Sequence, residues 1–255
     1  VEKKNQTIKE TEMNEAYHSE FYNKISETEQ WVRLTDGCYR NCWNCYCPIE
    51  KKCYNLPEIV RNKVRFLDMN FIYAHNEPVE LLKSLKDIKV NKKVVRYTFL
   101  CGLDFTIFTQ EILNEMKSSR VGRLNNKGNF INGLTIAWDR EIIERKLFIK
   151  AIDMIEKAGY SKKNIQVFML CNGKVSYGEC LEKLRVLKNM KVQICDCWYN
   201  NQIRGSVKPI YWTDEECKIF GRMCRMHNIA IIQNMYDSID LLYKTVMSGE
   251  DKQNH

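Results

Sequence analysis

Two hydrophobic periods alternate along this chain. Short runs rich in β-branched and aromatic residues, at 31–35, 64–71, 94–101, 134–138, 165–171 and 192–199, read as six strands. Between them, apolar residues recur at three- and four-residue steps over 78–85, 105–118, 142–158 and 177–190, the pattern of helices with one buried face. The punctuation agrees. Pro57 suits the first turn of a helix starting at 55–58, where a missing N–H costs nothing, and Gly159 follows 142–158 as a C-terminal cap. Ser176 with Glu179 and Thr213 with Glu216 form capping boxes, the second opening a last helix toward Asn228. Met13, Tyr17, Phe21 and Ile25, at four-residue steps, predict an amphipathic helix in a polar N-terminal extension, residues 1–28. The main domain then occupies 29–235, and 236–255 is a polar C-terminal tail.

Strands alternating with helices argue for an α/β fold with a parallel sheet. Functional groups in such folds gather at the C-terminal ends of the strands and in the loops after them. Alternation along each strand selects one polar face: Asp68 and Asn70, Arg96 and Thr98, Thr135 and Asp139, Gln166 and Asn172, then Gln193, Cys195 and Cys197.

Directly after the first strand, Asp36-Gly37 turns into Cys38-Tyr39-Arg40-Asn41-Cys42-Trp43-Asn44-Cys45-Tyr46-Cys47-Pro48, with four cysteines in ten residues. Cys38, Cys42 and Cys45 stand at C-x3-C-x2-C. From that spacing one loop reaches three corners of an iron-sulfur cube and leaves the fourth iron without a protein ligand. Spacing and position resemble the radical S-adenosylmethionine (radical SAM) superfamily. The resemblance implies a partial (β/α)6 TIM-like barrel with a 4Fe-4S cluster on Cys38, Cys42 and Cys45. It also implies SAM chelated at the open iron, reductive cleavage to a 5′-deoxyadenosyl radical, and hydrogen-atom abstraction from a substrate the sequence does not identify. A flavodoxin- or ferredoxin-like electron donor follows from it as a partner.

The same resemblance assigns further candidates. The family commonly has an aromatic residue before the third cysteine; here that position is Asn44, flanked by Trp43 and Tyr46, and these three are the candidates for the adenine contact. Phe66-Leu67-Asp68-Met69-Asn70-Phe71 resembles a D-x-N-F signature, which gives Asp68 and Asn70 to the methionine end of SAM. Asp104 and Asp139 close the third and fourth strands, where a carboxylate suits a ribose; Asp104 equally suits a helix cap. The stretch 168–173 resembles the fifth-strand segment that lines the adenine, bringing in Cys171 and Asn172. Cys195 and Cys197, on one face of the sixth strand, are candidates for a hydrogen-atom donor, a covalent intermediate or ligands of a second cluster. The plain alternative is two small residues packed in a strand.

Composition narrows the classes. With 255 residues, 44% hydrophobic and 28% charged, the chain reads as a soluble globular protein, and no apolar run is long enough to span a membrane. Twelve cysteines are too dilute for a disulfide scaffold, and the first residues have no leader-like apolar run, so a cytoplasmic location is expected. The net charge of +8 is spread over the helices. Its densest local group, Arg120, Arg123 and Lys127 in a loop rich in Gly and Asn, is a candidate anion contact or an ordinary polar loop. Two other functions stay open. A nucleic-acid-modifying radical SAM enzyme would stack a base on Trp198, Tyr199 or Trp212, and a non-catalytic Fe-S or zinc module would take a fourth ligand from Cys47 or Cys53.

Overall fold

The computed structural model describes residues 22–42, 45, 47–125, 127–139, 142–172, 174–198 and 212–248. It divides into two compact units, Val1–Leu103 with Ile107–Leu134, and Asp104–Thr106 with Thr135–His255. Trp43, Asn44, Tyr46, Gly173, Tyr199 and the expected helix positions Met13, Tyr17 and Phe21 lie outside the described residues.

The first unit runs through β1 (Tyr22–Ile25), β2 (Gln30–Arg33), β3 (Thr35–Asp36), β4 (Lys52–Cys53) and β5 (Lys63–Phe66). A single helical turn, α1 (Phe71–Ala74), and α2 (Pro78–Lys86) follow. Then come β6 (Lys89–Val90), β7 (Lys93–Val94), β8 (Arg96–Phe99), β9 (Leu103–Asp104), whose Asp104 belongs to the second unit, α3 (Gln110–Ser118), β10 (Val121–Leu124) and β11 (Phe130–Ile131). Its main sheet has the order β1-β2-β5-β8-β10-β11. The four central strands are parallel and the two edges antiparallel. One face is aromatic: Phe66 lies 5.7 Å from Tyr97 and 5.1 Å from Phe99, ring centre to ring centre. The buried Leu82 and Leu85 of α2 and Leu113 and Met116 of α3 belong to the same unit's core, each contributing about 1.5–3 kcal/mol by leaving water.

Four expectations change in this unit. Tyr22–Ile25, expected to end a helix, is an edge strand paired with Gln30–Arg33. No helix begins at 55–58; the segment is irregular, and the Val60 N–H is taken by the Gln30 side chain. The second strand stops at Phe66, not residue 71, because the chain turns at 67–70 into α1. The Arg120–Lys127 segment is no open basic loop, since Val121–Leu124 is a parallel strand and Arg123 is buried. Gly122 permits that strand to form: a Cβ there would lie 2.4 Å from the Phe130 ring and 2.5 Å from the Ile131 carbonyl oxygen.

The second unit carries β12 (Thr135–Ala137), α4 (Arg145–Lys157), β13 (Gln166–Cys171), α5 (Tyr177–Met190), β14 (Gln193–Trp198), α6 (Asp214–Gln233) and α7 (Ile239–Ser248). Its sheet has the order β14-β13-β12-β9, with β12, β13 and β14 parallel. Register places Thr135, Gln166 and Gln193 side by side, then Ala137, Phe168 and Cys195. The polar face read from alternation is therefore continuous across these three strands. The opposite face, with Ile136, Val167, Met169 and Ile194 all buried, belongs to the hydrophobic core. Both expected caps form. Ser176 accepts from the Glu179 N–H, and Thr213 and Glu216 make a reciprocal capping box. The final helix is longer than expected, reaching Gln233, and α7 follows it where only a tail was expected.

His227 ties three of these elements together. Fully buried, it places Nε2 2.8 Å from the Val192 carbonyl and Nδ1 2.7 Å from the Tyr243 hydroxyl. A carbonyl only accepts, so Nε2–H donates to it and the tyrosine donates to Nδ1. Burial lowers the imidazole from 6.5 to about 4. The unfolded chain therefore binds the proton first, and stability from this residue, on the order of 3 kcal/mol, is present above pH 6.5 and lost as pH falls toward 4. His227→Gln, which keeps a donor for Val192, is expected to abolish that acid sensitivity in urea-denaturation midpoints compared with the parent across this window.

Candidate cluster-binding site

The cysteine loop leaves and re-enters the first unit through the β3–β4 hairpin, in which Thr35 pairs with Cys53 and Asp36 with Lys52. Gly37 closes its neck. Its φ is +106°, and a Cβ would sit 2.4 Å from the Glu50 carbonyl oxygen, so only glycine fits. Across the neck the Cys38 N–H donates to the Pro48 carbonyl at 2.8 Å, and within the loop the Cys45 N–H donates to the Cys42 carbonyl at 2.9 Å. Further out, Tyr39 packs 4.9 Å from the Tyr73 ring of α1, and the Lys51 ammonium lies 3.8 Å from that ring.

Two N–H groups point at the sulfurs. Asn70 Nδ2 donates to Cys38 Sγ at 3.2 Å, and the Cys47 N–H donates to Cys45 Sγ at 3.4 Å. Donors of this kind stabilise a thiolate and tune a cluster bound to it. Cys38, Cys42 and Cys45 are all partly exposed free thiols. Among the described residues no three Cys, His, Asp or Glu side chains converge as ligands of a single ion. The thiolates of a cubane each take a different iron and stand farther apart than ligands of one ion, so donor type, spacing and the N–H groups fit such a cluster.

The other thiols nearby are held protonated. Cys47 is pushed up to about 12, mainly by burial and then by Cys45 beside it. Cys101, at the end of the third parallel strand, is also raised to about 12 by burial and then by Asp68. Its Sγ is 3.2 Å from Met69 Sδ. Cys53, in β4, is exposed. Sequence reasoning missed Cys101, Tyr73 and Lys51 as neighbours of this loop; only the place of Cys101 at a strand's C-terminal end signalled it.

Asp68 and Asn70 both lie in the 67–70 turn and are buried. Asp68 Oδ1 accepts from the Leu34 N–H at 3.1 Å and the Thr35 hydroxyl at 2.6 Å. Its Oδ2 is buried without a hydrogen-bond partner among the described residues. Burial raises this carboxyl from 3.8 to about 7.

The remaining candidates lie in the second unit. Asp104 accepts from both the N–H and the hydroxyl of Thr106, at 3.2 and 2.7 Å, as a cap does. Asp139 accepts from the Leu170 N–H at 3.1 Å, bridging the ends of β12 and β13. Asn172 is buried in the left-handed conformation with φ +60°. The Cys171 side chain lies in the core beside Cys180, which with burial raises its thiol far above the ordinary range. Only its backbone remains for a contact from the polar face. Cys195 and Cys197 are neighbours on that face. The Cys197 thiol is raised well beyond its usual value by its bond to Cys195, then by burial, with Asp139 adding to the effect. Both are partly exposed.

No protein-family model matches the chain, and no curated protein does. Among solved structures it is similar to the radical S-adenosylmethionine methyltransferase TsrM from Kitasatospora setae, which contains cobalamin and a 4Fe-4S cluster. The TM-score is 0.51 at 10% identity, over 66% of this chain and 36% of that one. A second likeness, to the radical SAM coproporphyrinogen III oxidase HemN from Escherichia coli, has a TM-score of 0.44 at 9% identity, over 71% of this chain and 41% of that one. The latter is too slight to define a fold. The first shows that this mixed α/β chain shares its fold with part of that enzyme, and the chain spans about a third of that neighbour's length. Among the described residues no helix is long and apolar enough to cross a membrane.

Asp68 supplies a second pH dependence. Its folded-state value lies above that of an ordinary carboxyl, so the folded state keeps the proton longer and stability falls as pH rises from about 4 to about 7, by on the order of 4 kcal/mol. This opposes the His227 contribution over most of the same window. Asp68→Asn, which retains the Oδ1 acceptor, is expected to remove the decline and leave a stability that rises with pH, measured as the denaturation midpoint at half-unit intervals.

Proposed function

We propose that this chain is a radical SAM enzyme whose Cys38, Cys42 and Cys45 hold a 4Fe-4S cluster. The observation that carries the reading is the pair of N–H donors on two of these three sulfurs, Asn70 Nδ2 on Cys38 and the Cys47 N–H on Cys45. The likeness of fold to a radical SAM methyltransferase supports it. A cluster so held would supply the electron for reductive cleavage of bound SAM.

The chain's own residues do the rest. Gly37 and the β3–β4 hairpin fix the loop's neck, and Asn70 orients Cys38. The turn that carries Asn70 is tied by Asp68 to Leu34 and Thr35, beside the methionine end of SAM. Trp43, Asn44 and Tyr46 are proposed to border the adenine, and Asp104, Asp139, Asn172 and the Cys171 backbone are proposed as further cofactor contacts. Of the pair Cys195 and Cys197, the Cys197 thiol is raised and keeps its S–H bond, which suits hydrogen-atom donation better than attack as a thiolate. A flavodoxin- or ferredoxin-like protein would deliver the electron, in a reducing, cytoplasmic setting.

Cys47 favours one rival, a cluster or zinc ion closed by four thiols, because it stands beside Cys45 and Cys38. Anaerobic reconstitution with iron and sulfide, then dithionite and SAM, separates the two. Under the proposal 5′-deoxyadenosine forms, Cys38→Ala, Cys42→Ala or Cys45→Ala abolishes both the iron signal and the product, and Cys47→Ala and Cys53→Ala retain them. Asn70→Ala, which removes the donor to Cys38, is expected to weaken cluster retention or activity by about 10–100-fold. A stable site that needs Cys47 and leaves SAM intact would establish the rival.

A further inference from the structure

A second site lies in the second unit, away from the polar face of its sheet. Where β14 ends, a cleft of about 430 Å³ opens between that edge strand and α6, bordered by Asp196, Trp198, Lys218, Gly221, Arg222 and Arg225. That volume is within the range of small-ligand pockets.

Three features distinguish it from an ordinary charged surface. Lys218, Arg222 and Arg225 follow one another at four and three residues, so one helix face brings three cations to the cleft. Among the described residues the only carboxylate bordering the cleft is Asp196, and its Oδ2 accepts from the Trp198 indole N–H at 2.9 Å. Lys218 and Arg225 have no ion pair with a carboxylate among the described residues, and both are exposed. The indole itself is 37% exposed at the cleft wall.

The third feature is Gly221, inside a twenty-residue helix. Glycine there costs about 1 kcal/mol relative to alanine. Packing does not demand it. A Cβ would meet Arg225 Nη1 at 3.6 Å, Trp198 Cζ2 at 3.7 Å and Asp196 Oδ2 at 3.8 Å, all ordinary contacts, and all of them groups of the cleft. A side chain there would stand among the indole, the carboxylate and a cation of the cleft.

We propose that this cleft binds a nucleoside phosphate, free or as a unit of a single strand, with Lys218, Arg222 and Arg225 on the phosphate and Trp198 beside the planar base. Guanidinium groups match phosphate oxygens bidentately, and an indole presents a flat face to a ring. The site is independent of the cluster: it binds whether or not Cys38, Cys42 and Cys45 carry iron.

Calorimetric titration of the full chain with AMP, inorganic phosphate and a short oligouridylate tests it. AMP or the oligonucleotide is expected to bind more tightly than inorganic phosphate and more weakly at high salt. Lys218→Glu combined with Arg225→Glu should reduce that binding at least about tenfold, since both positions face the phosphate and each reversal changes the local charge by two. The same pair should leave 5′-deoxyadenosine formation unchanged. Trp198→Ala should bring AMP down to the level of inorganic phosphate, and Gly221→Ala, which keeps the helix, should weaken AMP by narrowing the cleft. Oligonucleotide binding tenfold tighter than AMP identifies a strand as the source; equal binding identifies the free nucleotide. If neither binds, or if the double charge reversal leaves binding intact in a protein with unchanged circular dichroism, the proposal is overturned.

Discussion

The cysteine loop depends on a carboxyl group that water cannot reach. Asp68 joins the end of the second parallel strand to the end of the first, accepting from the Leu34 N–H and the Thr35 hydroxyl. Thr35 is also the first residue of the hairpin from which the loop hangs. A charged carboxylate in this place would lose its hydration for two hydrogen bonds, and its Oδ2 finds no partner among the described residues; the proton is accordingly held up to about pH 7. One neutral acid thus aligns the turn that carries Asn70 with the neck that carries Cys38. The 3.2 Å bond from Asn70 to the Cys38 sulfur follows from that alignment. Gly37 is the complementary constraint, because the approach of the Glu50 carbonyl leaves no volume for a side chain.

What the sequence made legible was what local chemistry determines. Tyr177–Met190 has the limits expected of it, because Ser176 supplies a cap and an amphipathic run follows. Thr135, Gln166 and Gln193 share a face because three long-buried neighbours, Ile136, Val167 and Ile194, face the other way. The cysteine triplet stands out as a candidate because its spacing has few structural uses. The misses have tertiary causes. Val121–Leu124 contains a glycine and an arginine and has little strand character of its own; it is a strand because it completes a parallel sheet beside Arg96–Phe99. The burial of Arg123 there takes it out of the candidate anion contact of that segment. Tyr22–Ile25 kept a helical period but found an unpaired sheet edge, and edge pairing satisfies backbone groups that a short isolated helix satisfies less well. The strand expected to reach residue 71 ends at Phe66 because Asp68 is drawn back onto Leu34, a contact between residues 34 apart that no local pattern encodes.

In the second unit a single strand separates two chemical environments. Along β14 the odd-numbered Gln193, Cys195 and Cys197 share the face of Phe168 and Leu170, while the even-numbered Asp196 and Trp198 turn toward α6 and its cations. The period of two puts a backbone between the thiols and the cleft. A ligand seated against Trp198 would therefore be shielded from Cys195 and Cys197. α6 shows the same division from the other side: His227 and Asn228 fasten it to Val192 and Ile194 at the start of β14, and Lys218, Arg222 and Arg225 border the cleft at the strand's end. The anchoring end is buried and neutral, the open end charged and solvated. The length of α6 is what lets one helix both anchor to β14 and border the cleft.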